Sequence, residues 1–321
     1  MPLYFGGEKR KITLNNESSG VHTYFAFTIT YYDSDGVTVL KTEKLPFGSM
    51  PSYTPTKDGM IFEGWTTELV AVAGSASYIA KWKERPNFTT ASWAEIAEIS
   101  ESGQASEYFK VGDTKDIPLT YADGTTETIT VAIAGFNHDD KADGNGKAGI
   151  SFVCMSVPSK TTHWANWTGA VYATSLIHGQ LTDTILPSLP SDLQTVIKPV
   201  NKKYDNSNTS GTGTAISRGF NLWALSVDEL GISESAIAIY PNYSTILGTR
   251  YPIFPLLNAS LPVATLPTVT DANGENVEYY TRHLWRNGDL SAISIKNNGK
   301  YNNNSGYSTS KAYHVRFGFC I

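Results

Sequence analysis

The sequence predicts an α+β fold in which strand outweighs helix, arranged as a small β-rich module ahead of a larger mixed domain. Three observations carry that reading. Alternating apolar and polar runs broken by turn dipeptides occur in both parts: FAFTITYYDSDGVTVLKTEKL folds back at Asp35-Gly36, and the strands around Ile117–Tyr121 and Thr126–Phe136 meet at Asp123-Gly124. Helical patterning is confined to a few segments, two of which open with a capping box, Ser92-x-x-Glu95 and Ser226-x-x-Glu229. Hydrophobic residues make up 40% of 321, enough for one large core and one small one.

Residues 1–24 read as an arm with too few apolar positions to fold alone. Residues 25–84 form the β-rich module, with further strands at GMIFEGW and ASYIAKW. The larger domain, 85–321, begins after a Glu84-Arg85-Pro86 linker with a helix from Trp93 to near Gly103. Strands are expected at Tyr108–Val111, Ile117–Tyr121, Thr126–Phe136 and Ile150–Met155, and helices at Ala173–Leu186 and Ser191–Ile197. Asn201–Gly213 reads as a polar loop. Leu222–Leu225 is a buried strand that runs directly into the second capping box.

The 25–84 segment resembles the β-grasp-like repeats of bacterial surface proteins of the internalin B-repeat type. The matching residues are Thr30-Tyr31-Tyr32, Asp35-Gly36, Pro51, Gly59-Met60-Ile61-Phe62-Glu63-Gly64-Trp65 and Tyr78-Ile79-Ala80. That resemblance implies a spacer or adhesion module without catalytic residues. From Trp93 onward the chain resembles the uncharacterised DUF6273 family of phage-encoded and surface proteins of gut Firmicutes. The resemblance rests on Trp93-x-x-Ile96, Ser102-Gly103-Gln104-Ala105, Phe109-Lys110-Val111-Gly112-Asp113, Gly135 to Asp140, Leu189 to Leu193, Leu222 to Ser226 with Glu229, Leu284-Trp285-Arg286 and Val315 to Phe319. It implies a variant C-type-lectin-like fold, in which a Trp-Arg strand and a final Val-Arg strand frame a variable face.

Composition narrows the function classes. A net charge of -5 offers no basic footprint for nucleic acid, and no apolar run is long enough to span a membrane as a helix. The N-terminus shows no secretory h-region. Cys154 and Cys320 support neither a disulfide framework nor a cysteine zinc site, and read as buried free thiols or as one pair. Asp139, Asp143 and Asn145 superficially offer oxygen ligands, but the spacing departs from a calcium loop and no closing Glu follows, so a hydrogen-bonded Asx-rich loop is the favoured reading. His138 reads as the partner of a nearby backbone group. Six histidines fall in no catalytic motif, and the chain is expected to be no enzyme and to need no metal or cofactor. Trp223 and Trp285 read as core; Trp164 and Trp167, in a polar stretch, read either as packing or as carbohydrate-stacking residues.

The run Lys296–Tyr313, KNNGKYNNNSGYSTSKAY, lies between an apolar strand, Leu290–Ile295, and a terminal strand, His314–Ile321. Tyr, Asn and Ser are the palette of antibody paratopes, where aromatic area and adaptable hydrogen bonding combine. The expected ligand-binding residues are Asn297, Asn298, Tyr301, Asn302, Asn303, Asn304, Tyr307 and Tyr313, with Arg286, Asn287 and Asp289 beside them. Together with the arm and the spacer, this layout suggests a bacteriophage tail-tip or fibre-type receptor-binding protein on the virion. The arm would hold a tail or virion component, the loop face would contact a host-surface glycan or protein, and a homotrimer would add avidity. A head fibre or capsid decoration without a receptor role is the alternative.

Overall fold

The computed structural model describes residues 26–166, 170–205, 215–231, 247–257, 266–287, 289–302 and 311–321, with the backbone alone at Tyr4–Phe5 and Glu8–Lys9. Those two short strands, β1 and β2, pair antiparallel; the rest of the expected arm lies outside the described residues. The chain divides into two compact units, Met1–Arg85 and Pro86–Ile321.

The first unit is a four-stranded sheet of β3 (Ala26–Tyr32), β4 (Val39–Pro46), β5 (Met60–Trp65) and β6 (Ala76–Glu84), in the order β4-β3-β6-β5. The two central strands run parallel and each outer strand is an antiparallel partner of its neighbour. Period-two alternation puts Ile29, Tyr31, Tyr78 and Ala80 inward. Tyr31 is enclosed by Tyr53 and Trp65, each 5.0 Å away between ring centres, and by Tyr78 at 6.0 Å. A bulge between Phe62 and Gly64 brings the Phe62 and Trp65 rings to 5.0 Å. Gly64 holds φ 115°, a value closed to residues with a Cβ, which explains the glycine in Phe-x-Gly-Trp.

Asp33 closes the β3 end of this unit. It accepts hydrogen bonds from Lys57 Nζ (2.8 Å) and Trp82 Nε1 (2.6 Å), and the Lys57 bond, with that from the Ser34 amide, pulls its carboxyl down to about 2. An unfolded aspartate titrates near 3.9. Asp33 therefore contributes its full stabilisation above about pH 4 and loses it as pH falls toward about 2. Acid titration followed by the fluorescence of Trp65 and Trp82 is expected to show a destabilising step in that window, absent in Asp33→Asn.

The second unit is built on two five-stranded sheets. The scaffold sheet contains β7 (Thr114–Thr120), β8 (Thr126–Phe136), β9 (Ile150–Cys154), β14 (Leu222–Ala224) and β20 (Phe317–Cys320), in the order β14-β20-β9-β8-β7. The second sheet contains β11 (Thr162–His163), β16 (Tyr279–Asn287), β17 (Asp289–Ile295), β18 (Tyr301–Asn302) and β19 (Ala312–Val315), in the order β11-β19-β16-β17-β18. The expected single terminal strand is thus two: β19 belongs to one sheet and β20 to the other, with Arg316 at the crossing. Gly318 is required there, because a Cβ would lie 2.8 Å from the Phe152 carbonyl oxygen and 3.0 Å from the Trp223 ring. Two-residue strands β10 (Ser156–Val157) and β15 (Thr270–Asp271) pair in parallel.

Both capping boxes form, at α1 (Trp93–Glu101) and at α6 (Val227–Leu230). The expected strand at Tyr108–Val111 does not form; Ala105–Tyr108 is a helical turn, α2, that turns Phe109 into the core. The 173–186 helix is interrupted: α3 (Leu176–Gly179) passes into a π-helical stretch, Gln180–Ile185, then α4 (Leu186–Ser188), followed by α5 (Ser191–Val196). Ile177, Leu181 and Ile185 are buried, an i, i+4 row that keeps one apolar face inward through the change of winding. The largest departure is at Asn201–Gly213. Its first part is strand β12 (Val200–Asp205), paired with β13 (Ala215–Phe220), and it turns Val200, Lys202 and Tyr204 inward.

Residues 87–91 are fastened to β7 by Lys115, whose ammonium donates to the carbonyls of Thr89 and Ala91 at 2.8 Å and of Phe88 at 3.4 Å, above the Trp93 ring. No neutral side chain reproduces three such bonds. Lys115→Met is expected to accelerate proteolysis between residues 86 and 92 several-fold while leaving cleavage elsewhere unchanged, as read by limited digestion and mass spectrometry.

Candidate functional site

The polar run begins at the end of β17. Lys296 and Lys300 close a turn through Lys296 N–H to Lys300 carbonyl (2.8 Å), and Asn297 and Asn298 stand exposed on it. The chain then pairs back as β18, Ser294 opposite Asn302 and Ile295 opposite Tyr301. Asn302 is buried, and its side-chain amide donates to Glu278 Oε1 at 3.0 Å, the atom that also takes the Ser294 hydroxyl. At the other end Tyr313, half-buried, meets the Tyr280 ring edge-on at 5.0 Å. Burial raises the pKa of both tyrosines, that of Tyr280 strongly.

Of the expected contact residues, Asn297 and Asn298 are therefore displayed, whereas Asn302 and Tyr313 are fixed by Glu278 and Tyr280 and serve as anchors. The strand alternation explains the difference: a residue at a sheet position directs its side chain to one face or the other, whatever its polarity. Arg286, Asn287 and Asp289 lie on the hairpin of β16 and β17, and Tyr301 lies on β18; only their backbones are described. Asn303, Asn304 and Tyr307 lie outside the described residues, as does Trp167. In the order β19-β16-β17-β18, the two anchors are three strand spacings apart, about 14 Å. Trp164 is core, its indole N–H donating to the Thr281 carbonyl at 3.0 Å.

A second cluster, of buried charge, joins residues that no sequence motif groups. Asn137, with φ 48°, turns the chain after β8 so that Asp139 points inward. There Asp139 Oδ1 accepts from Lys202 Nζ, while Oδ2 accepts from Ser151 Oγ (2.7 Å) and from Tyr251 OH (2.8 Å). Lys202 Nζ also donates to Glu229 Oε1 (3.0 Å) and Tyr251 OH (2.6 Å), with the Trp223 ring 4.0 Å away. Arg282 spends all five of its N–H donors: on Glu229 at 2.5 and 2.9 Å, and on the carbonyls of Ala224, Leu247 and Lys203. Asp139, Lys202, Glu229 and Arg282 are all at most 6% exposed, so the charges balance two against two where water cannot screen them.

Burial alone would raise the Asp139 carboxyl; Lys202, with the bonds from His138 and Ser151, instead holds it well below the usual carboxylate range. Burial opposes ionisation of Glu229 too, and Arg282 and Lys202 override it. The remainder of the acidic loop faces solvent differently: Asp140 pairs with Lys147, and Asp143 accepts from the Asn145 amide, an Asx turn. Asp139, Asp143 and Asn145 thus diverge, and among the described residues no group of three or more His, Cys, Asp or Glu could hold a metal ion. His138 contacts the Arg250 carbonyl at 3.4 Å.

Cys154 and Cys320 are free. On the paired strands Cys320 stands opposite Ser151, three residues from Cys154, which separates the thiols along the sheet and sends them to opposite faces. Burial pushes the Cys154 thiol up to about 12 and raises that of Cys320 well above its ordinary value. No described helix is long and apolar enough to cross a membrane.

Comparison with protein-family models, with curated proteins and with solved structures yields no match.

Arg282→Met would leave the Glu229 carboxylate buried without its guanidinium. Loss of one partner of a buried pair costs about 3–5 kcal/mol, and chemical denaturation of the full chain is expected to show a destabilisation of that order.

Proposed function

We propose that this chain is a bacteriophage tail-tip or fibre-type receptor-binding protein whose second unit recognises the host surface through the polar run after β17. One observation carries the reading. The stretch 303–310 is bracketed by two anchors on the same sheet, Asn302 on Glu278 and Tyr313 on Tyr280, while the preceding turn displays Asn297 and Asn298. A rigid sheet that fastens both ends of an Asn-, Tyr- and Ser-rich segment provides what a recognition loop needs, a fixed frame with adaptable contacts. In this reading Arg286, Asn287 and Asp289, on the adjoining hairpin, flank the contact face.

The four-stranded first unit supports a spacer role. Its sheet order, second strand, first, fourth, third, is that of a β-grasp, in keeping with the B-repeat resemblance of its motifs. The lectin-like reading of the second unit rests on its sequence motifs and on the way the terminal chain serves both sheets. A homotrimer on the virion would multiply weak single contacts into firm adsorption.

The test uses the full chain. The triple variant Tyr301→Ala, Asn303→Ala, Tyr307→Ala is expected to bind host cells at least about tenfold more weakly, equivalent to roughly 1.4 kcal/mol, with an unchanged thermal midpoint. Undiminished adsorption by the folded variant would overturn the recognition role and favour a purely structural one.

A further inference from the structure

We propose that Lys202 and Asp139 condense spontaneously into an isopeptide bond, with Glu229 as the proton carrier. The inference is independent of the recognition role. It rests on four features of the buried cluster that a structural ion pair does not require together.

The amine and the carboxyl group are paired, Lys202 Nζ donating to Asp139 Oδ1. The other carboxyl oxygen, Oδ2, is held by two hydroxyl donors, Ser151 at 2.7 Å and Tyr251 at 2.8 Å. Donors placed in that way polarise the Cγ–Oδ2 bond and stabilise the oxyanion that forms when Cγ is attacked. Glu229 Oε1 lies 3.0 Å from Nζ, within reach of its protons, and Arg282 fixes the carboxylate in that orientation. The Trp223 and Tyr251 rings lie 4.0 and 5.1 Å from Nζ, giving the reacting atoms an aromatic wall.

The chemistry balances without any co-reactant. One Nζ proton passes to the adjacent Asp139 Oδ1, which makes the carboxyl neutral and electrophilic, and the neutral amine attacks Cγ to form the Nζ–Cγ bond while a second proton passes to Glu229. Charge accumulates on Oδ2 against Ser151 and Tyr251. Collapse restores Cγ=Oδ2 and breaks Cγ–Oδ1, and Oδ1 departs as water carrying two of the three original ammonium protons, one received directly from Nζ and one returned by Glu229. One proton stays as the amide N–H, so an ammonium and a carboxylate become a neutral amide and one water.

In bulk water the reaction is opposed because both ions are well solvated. Here folding has already removed that solvation, and fixed positioning replaces a bimolecular encounter. Condensation also relieves the cost of keeping the two charges buried. The bond would join the end of β8 to β12 across 63 positions of sequence, locking the scaffold sheet to the strand that carries Lys202.

The decisive readout is the mass of the purified full chain in denaturant, which needs no variant to fold. The expected mass is lower than that of the sequence by one water, and digestion should yield a branched peptide joining the segments that carry Asp139 and Lys202. Lys202→Arg should restore the full mass, and Asp139→Asn should expel ammonia in place of water. Full mass in the unaltered chain, with both peptides recovered in linear form, would overturn the proposal. Loss of water that persists in Lys202→Arg would overturn it equally.

Discussion

The second unit depends on the balance of charge around Lys202. A lysine on the inward face of β12 is tolerable only because Asp139, Glu229 and Tyr251 converge on its ammonium, and Glu229 is tolerable only because Arg282 stands behind it. The four charged groups come from four separate places: the turn after β8, strand β12, helix α6 and strand β16. Each contributes a charge that would be costly alone. Their convergence requires these elements to arrive together, which gives the cluster a specifying role as well as an energetic one. Arg282 bonds to the carbonyl of Ala224, a residue of the scaffold sheet, from its own place in the second sheet, so it ties the two sheets directly.

The legible parts of the sequence were those governed by local rules. Asp35-Gly36 and Asp123-Gly124 marked hairpins because left-handed turns select Gly, and Ser92 and Ser226 marked helix starts because orphan amide groups select a capping oxygen. Thr126–Phe136 and Leu222–Ala224 stood out by alternation and by apolar content. Lys202 escaped because in VNKKYD it looks like part of a solvated polar segment, and its burial is decided by partners 27 to 63 positions away. The inward set Val200, Lys202 and Tyr204 did carry a period-two signal, but polarity masked it. Glu229 reads as a cap and is one; its second duty, toward Arg282 and Lys202, depends on tertiary placement that local spacing does not encode.

The same division runs through the candidate recognition face. Asn297 and Asn298 were identifiable by composition and are exposed, but composition could not separate them from Asn302, whose position in β18 directs it to Glu278. Tyr313 likewise belongs to the frame. A recognition loop gains from such division of labour, since immobilised ends reduce the entropy lost when the segment between them engages a partner. The frame in turn leans on β16, which pairs with both β17 and β19 and carries Arg282 into the charged cluster.

The central claim is that the buried cluster around Lys202 couples the second sheet to the scaffold sheet, and native-state hydrogen exchange tests it most directly. In Lys202→Met the account predicts that protection falls together at 222–230, 279–284 and 292–295, while β8 amides around Ile129–Ile133 keep theirs. Protection that is unchanged in the first three segments, or lost evenly across all four, would contradict it.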